Sequence, residues 1–251
     1  MNDDEFGGIV ESLMRSDNAD SAAAELQDYL ADEAFVEHLL SAEWGDEQAA
    51  IARFMRYSLL ADVIMLHPNE QMRSEAVNWL SDVQDEDARL VLIDRAAHDE
   101  ADLVRAGAAE AIADQAPQSR MSEAALRLLA DEEVLVRSLA VYAAMQQGAE
   151  PAVRDMLLTE SEERVIVSIH CALAADGDDA SVNELYLLLA NSDYMVRYSA
   201  MNGLAQLASV RDTPRFHDAI LDLANRDAAR AVSVRAREIC GELGLTVGTV
   251  P

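Results

Sequence analysis

Between Glu70 and Leu243 the apolar residues recur every three or four positions, the spacing of one helical face, and the runs are cut by turn-forming residues. The breaks fall at His67-Pro68-Asn69, Ala116-Pro117, Gly148-Ala149-Glu150-Pro151, Asp176-Gly177-Asp178 and Thr213-Pro214. Periodicity and breaks together predict helices near 70–83, 86–97, 101–115, 120–130, 133–147, 151–159, 163–175, 179–190, 193–208, 213–225 and 229–243. Further helices are expected near 20–31, 33–41 and 46–66. No stretch alternates apolar and polar residues between Asn-Gly or Asp-Gly turns, so the expected class is all-α.

One pattern repeats within these helices. It reads Leu103-Val104-Arg105-Ala106-Gly107-Ala108-Ala109, then Leu135-Val136-Arg137-Ser138-Leu139-Ala140-Val141, then Met195-Val196-Arg197-Tyr198-Ser199-Ala200-Met201. Met72-Arg73-Ser74-Glu75-Ala76-Val77 is an earlier copy and Val234-Arg235 a weaker last one. The long gap after Arg137 holds a degenerate copy, Val165-Ile166-Val167-Ser168-Ile169-His170-Cys171, with Val167 where Arg would stand. A period of roughly 30 to 38 residues is that of an array whose units cannot bury their apolar faces alone, and it favours one elongated domain. The expected layout is an acidic N-terminal helical cap over 1–67, repeats over 68–245 forming about six units, and a flexible tail over 246–251. Glu238 and Glu242 stand where other copies carry Ala or an aliphatic residue, which marks the last copy as the C-terminal cap.

This pattern resembles the HEAT-repeat family, particularly the short form also seen in phycobilin-lyase-like proteins, in which a second helix opens on Val-Arg with Ala three residues on. The resemblance covers residues 68–243 and implies an α-solenoid of helical hairpins. It also implies a ladder in which Arg73, Arg105, Arg137, Arg197 and Arg235 each reach an acid of the turn or of the adjoining repeat. The acids preceding the motif, Asp99, Asp131 and Asp193, are the expected partners, and Val167 is expected to break the ladder.

Aligned on the Arg position, Ala76, Ala108, Ala140, His170 and Ala200 form one core column, and Val77, Ala109, Val141, Cys171 and Met201 the next. The opposite face carries Glu75, Asn78 and Asp82, then Glu110 and Asp114, then Leu139, Tyr142 and Gln146, then Ile169 and Asp176, then Asn202. By the resemblance this face lines an inner groove, acidic toward the first repeats and apolar at Leu139, Tyr142 and Ile169. An aromatic and aliphatic centre rimmed by charge is the anatomy of a protein interface.

Charge narrows the partner. The chain holds 47 acidic residues against 19 basic ones, all of them arginine, for a net charge of −28. Such a field repels phosphate backbones and anionic lipid and favours a basic protein, although it also suits solubility in a salty cytoplasm. Cys171 and Cys240 fall among apolar neighbours, no apolar run is long enough to span a membrane, and the acidic N-terminus is unlike a signal peptide, so a monomer in the cytoplasm is expected. The five histidines are scattered without ligand spacing, and no phosphate-binding loop or nucleophile–base pair is apparent, so neither metal nor cofactor is expected. The expected function is a non-enzymatic scaffold presenting an acidic groove to a basic protein, with an inhibitor or immunity-type protein as its concrete form. The alternative is a HEAT-type lyase or chaperone acting on a cofactor-bearing client, with Tyr142, His170 and Asp176 as its candidate groups.

Overall fold

The computed structural model of the protein describes residues 60–83 and 86–248, together with Gly8, Ile9, Tyr29, Asp32, Ala34 and Phe35. Most of the expected N-terminal cap, the side chain of Asp82 and the end of the expected tail therefore lie outside the described residues. All regular structure among the described residues is helical. The chain divides into two compact units, Met1–Leu128 and Leu129–Pro251.

In the first unit, residues 60–66 are helical and precede α1 (Glu70–Asn78), a 3-10 turn (Trp79–Asp82), α2 (Glu86–Ala96), α3 (Asp102–Ala113) and α4 (Ser119–Leu128). Helix α1 packs on α3, and α2 on α4 and α3. The second unit holds α5 (Val134–Gln146), α6 (Glu150–Met156), α7 (Glu163–Ala175), α8 (Asp179–Leu188), α9 (Tyr194–Gln206), the single turn α10 (Ala208–Arg211), α11 (Pro214–Arg226) and α12 (Arg230–Glu242). Here α5 packs on α7, α7 on α9 and α9 on α12, while α8 and α11 pack against the helices that follow them in sequence. Each unit is thus a stack of helical hairpins in which second helices lie on second helices, the expected all-α repeat fold.

Local chemistry sets the helix ends. Thr213 accepts the Phe216 N–H and Pro214 takes the first turn of α11, where its missing N–H is no loss. Gly148 and Gly177 adopt φ of 77° and 97°, so Ala149 N–H can reach back to Ala144 O at 2.8 Å and Asp178 N–H to Leu173 O at 3.0 Å. That six-residue closure satisfies carbonyls that the ends of α5 and α7 would otherwise leave bare.

A single register runs through the second helices once their N-caps are aligned. The caps are Asn69, Ala101, Glu133, Glu162, Asp193 and Ala229, each in extended conformation. Three residues after each cap comes Val104, Val136, Val165, Val196 or Val232, all fully buried, with Met72 in α1. Four residues after that valine stands Ala108, Ala140, Ile169, Ala200 or Ala236, again fully buried, with Ala76 at the matching place in α1. The alanines of this column, at all places but Ile169, let neighbouring helices approach closely, which is why a chain poor in aromatics still builds a dense core.

The residue two before each cap is His67, Asp99, Asp131, Glu160, Asn191 or Asp227. Every one of them accepts the N–H of its cap residue, at 2.8 to 3.1 Å. Three of the arginines four after the cap, Arg73, Arg137 and Arg197, reach forward to the next member of this series. Arg73 donates Nε and Nη2 to the two oxygens of Asp99 at 2.9 and 2.8 Å. Arg137 does the same to Glu160 at 2.8 and 3.3 Å, and Arg197 to Asp227 at 2.7 and 2.8 Å. The remaining Nη1 binds carbonyls of its own turn: Asp131 and Glu132 for Arg137, Asn191 and Ser192 for Arg197, Asp99 and Glu100 for Arg105. One guanidinium therefore closes its own turn and pins the next repeat, a task that needs a planar fork of five donors and that lysine could not perform.

This register corrects several expectations. In α7 the Arg position is Ile166, so Val167 is a core residue, 1% exposed, and an Arg placed there would bury an unpaired charge. The acid expected from Asp193 is displaced: Asp193 caps α9 through Met195 N–H and pairs with Arg164 at 2.8 Å, whereas Asn191 holds the ladder position. In α12 the Arg position is Ser233, so Arg235 stands outside the ladder and binds back to Asn202 at 3.0 Å. Glu238 and Glu242 accordingly occupy the solvent face, while Ala236, Ile239 and Cys240 hold the core places.

Candidate interaction face

Counted from the Arg position, residues two before and two, five and nine after it share the face of each second helix that points away from the core. In the first unit this face carries Glu75, half-buried, and Asn78, Glu110 and Asp114, all exposed, with Gly107 between them packed against Val77. It is acidic, as expected.

In the second unit the face changes character. Helix α5 presents Leu135, Leu139, Tyr142 and Gln146, of which Leu135 is 55% and Tyr142 42% exposed. Helix α7 presents Arg164, Ser168, Cys171 and Ala175. The expected groove residue Ile169 is fully buried, because the Arg position of this copy is Ile166 and Ile169 falls in the core column three residues on. Asp176 is exposed but caps the C-terminal end of α7 instead of lining its face. Helix α9 presents Met195, Ser199, Asn202 and Gln206, and α12 presents Ala231, Arg235, Glu238 and Glu242. Leu135, Met195 and the neighbouring Tyr194 and Val234 are exposed apolar groups that the motif alignment missed. The position two before Arg would have revealed Leu135 and Met195 had it been followed through the clear copies.

Tyr142 bridges two helices of this face. Its hydroxyl end lies beside Ser168 and Cys171, where burial raises the phenol pKa far above its ordinary value, and the neighbouring thiol adds to the rise. Burial pushes the Cys171 thiol up to about 12, with the Tyr142 hydroxyl acting in the opposite direction. The Cys171 thiol also faces Ser199 O at 3.7 Å and leaves no room for a side chain at Gly203, whose added Cβ would collide with its sulfur. Both groups stay protonated at neutral pH, so this corner is a packing contact and not a nucleophile. His170, expected in the core, is half-buried and turned to the other side of α7, where its Nδ1 lies 3.2 Å from Ser181 Oγ. Burial lowers its pKa, against the pull of Glu184 and Asp178. The candidate groups Tyr142, His170 and Asp176 do not converge.

At the far end of the face α9 and α12 enclose an open cleft of about 540 Å³, lined by Tyr194, Met195, Tyr198, Ala231 and Val234 with Arg230, Arg235 and Glu238 at its polar edge. No group of three or more His, Cys, Asp or Glu among the described residues is arranged to hold a metal ion. No helix among them is long and apolar enough to cross a membrane.

No protein-family model matches the chain, and no curated protein does. Among solved structures, human deoxyhypusine hydroxylase in complex with glycerol is 18% identical, with 95% of each chain covered and a TM-score of 0.37. A designed armadillo repeat protein is also 18% identical, over 73% of this chain and 98% of that one, with a TM-score of 0.36. The protein's own register of caps, forks and core columns is what defines it as a helical-repeat fold.

Proposed function

We propose that the protein is a HEAT-like scaffold that binds another protein on the second-helix face of residues 134–242. The observation that carries this reading is the set of exposed Leu135, Tyr142, Met195 and Val234 on the same side of α5, α9 and α12. Leu158 and Leu187 are more exposed still, but they stand singly on other elements, where an isolated apolar side chain needs no partner. The surrounding charge favours a basic partner: Glu132, Glu133, Glu162 and Glu163 crowd the N-terminal edge of the face, within a chain of net charge −28. An inhibitor that covers a cationic protein is the concrete form of this reading, and two free thiols agree with a cytoplasmic setting.

The test places a photocrosslinking residue in turn at positions 142, 195 and 187 of the full chain in its native cells. The first two positions are expected to capture one and the same protein and the third to miss it. Equal capture at 187, or none at 142 and 195, ends the reading. With the captured protein purified, Tyr142→Ala is expected to weaken the complex by about 2 kcal/mol. Ala140→Leu, which overpacks a fully buried site, is expected to lower stability by about 1 to 3 kcal/mol and leave binding intact.

A further inference from the structure

The cleft between α9 and α12 differs in sign from the molecule around it. Its walls are Tyr194 and Val234, 45% and 40% exposed, with Met195, Tyr198 and Ala231. Three charged groups edge it, and two of them are already engaged: Arg235 donates to Asn202, Glu238 and Glu242, so its charge is met by carboxylates of its own helix. Arg230 is exposed at the first position of α12, and among the described residues its guanidinium makes no ion pair or hydrogen bond. The local surplus is therefore one unpaired cation beside an apolar, tyrosine-rich wall.

From this we infer that the cleft receives a peptide segment of the partner in which an aromatic or aliphatic anchor lies next to a carboxylate. The anchor fills the space between Met195, Tyr198 and Val234, and the carboxylate meets the fork of Arg230. The inference deepens the scaffold reading and rests on it. It also explains how an acidic chain can be selective. Any cationic protein is attracted to carboxylates in general, but a segment of opposite sign finds a cation beside an apolar wall at this cleft, so it fixes the register of a complex that attraction alone would leave loose. The planar fork of a guanidinium can hold a carboxylate through two hydrogen bonds.

A random dodecapeptide display library panned against the full chain is the probe. The expected result is enrichment of sequences with Trp, Phe, Leu or Met within two residues of Asp or Glu. Their binding is expected to fall by about tenfold or more in Arg230→Glu and in Met195→Ala. Both positions are exposed, and circular dichroism melts check that each variant stays folded. Replacing the peptide carboxylate by Lys should weaken binding to the native chain and restore it to Arg230→Glu. Enrichment of basic sequences, binding indifferent to Arg230→Glu, or no enrichment overturns the inference. The same variant separates this failure from that of the scaffold reading. If crosslinking at position 142 still captures the partner while the peptides ignore Arg230, the face stands and the cleft assignment falls. If nothing is captured at 142 or 195, the scaffold reading falls whatever the peptides do.

Discussion

Where α9 meets α12, Arg197 forks onto Asp227, whose side chain is only 4% exposed, and closes its own turn through two carbonyls. Where α7 meets α9, the corresponding positions hold Ile166 and Asn191. The two seams keep the same cap geometry, since Asn191 accepts the N–H of Asp193 at 2.8 Å just as Asp227 accepts that of Ala229. What differs is the charge, and it is absent from both sides at once. Losing the Arg alone would leave a nearly buried carboxylate unpaired, whereas a neutral amide facing an aliphatic residue orphans nothing. The ionic part of this second seam has moved outward, two residues back on α7 to Arg164 and two residues forward before α9 to Asp193, with side chains 57% and 28% exposed.

The comparison breaks most visibly at Arg197. Arg197→Ala is expected to destabilise the fold by about 3 kcal/mol, because Asp227 keeps its burial and loses its partner. Urea unfolding followed by circular dichroism reads this directly, and a shift below the error of the midpoint would show the fork to be ornamental. The converse experiment builds a fork at the neutral seam. Ile166→Arg and Asn191→Asp are each expected to be unfavourable or neutral alone, yet to couple favourably by about 1 to 2 kcal/mol in a double-mutant cycle. Strict additivity would mean that the seam lacks room for the pair.

Acid provides a third contrast. Arg197 holds the Asp227 carboxyl below the usual carboxylate range although burial opposes it. At Glu160 burial is the largest influence and acts upward, but Arg137 and the N–H groups of Glu162 and Ser161 together outweigh it and leave the group lowered. A carboxyl whose folded pKa is depressed stabilises the fold above its unfolded pKa, near 4, and that stabilisation is lost as pH falls through the folded value. The native chain should therefore lose stability below about pH 4, and Asp227→Asn should flatten this limb by about 1 kcal/mol between about pH 5 and 3. An unchanged acid limb in Asp227→Asn would place the acid sensitivity elsewhere. The smallest effect is expected at Arg164→Ala, whose exposed pair is screened and mobile, and its melting midpoint should match that of the native chain.

The sequence made the well-marked copies legible and lost the others for a definite physical reason. Where Val-Arg-x-x-Ala is complete, at Arg105, Arg137 and Arg197, the core columns Ala108, Ala140 and Ala200 are all fully buried as read. The run Val165-Ile166-Val167 offers three equivalent alignments once Arg is gone, and choosing Val167 moved Ile169 from core to face and Cys171 from face to core. At α12 the eye is drawn to Val234-Arg235, although Val232-Ser233 is the true pair. Arg is a poor anchor because its presence depends on an acid in the next repeat. The turn acid or amide two before each cap serves every repeat whether or not an Arg reaches it. Asp99, Asp131, Glu160, Asn191 and Asp227 would have indexed both degenerate copies. Side-chain pairings such as Arg164 with Asp193 remained illegible because they depend on how long side chains lie across a seam.

The forks of Arg73, Arg137 and Arg197 all point forward along the chain, so each of these repeats carries a plug that fits a socket in its successor. Such an array has a direction of growth. Duplication of a whole unit copies both fittings and yields a joint that closes, whereas a cut placed after Arg197 and before Asp227 leaves a plug with nothing to enter. Ile166 facing the uncharged socket of Asn191 is a blank joint at which the array can be shortened or spliced without stranding a buried charge.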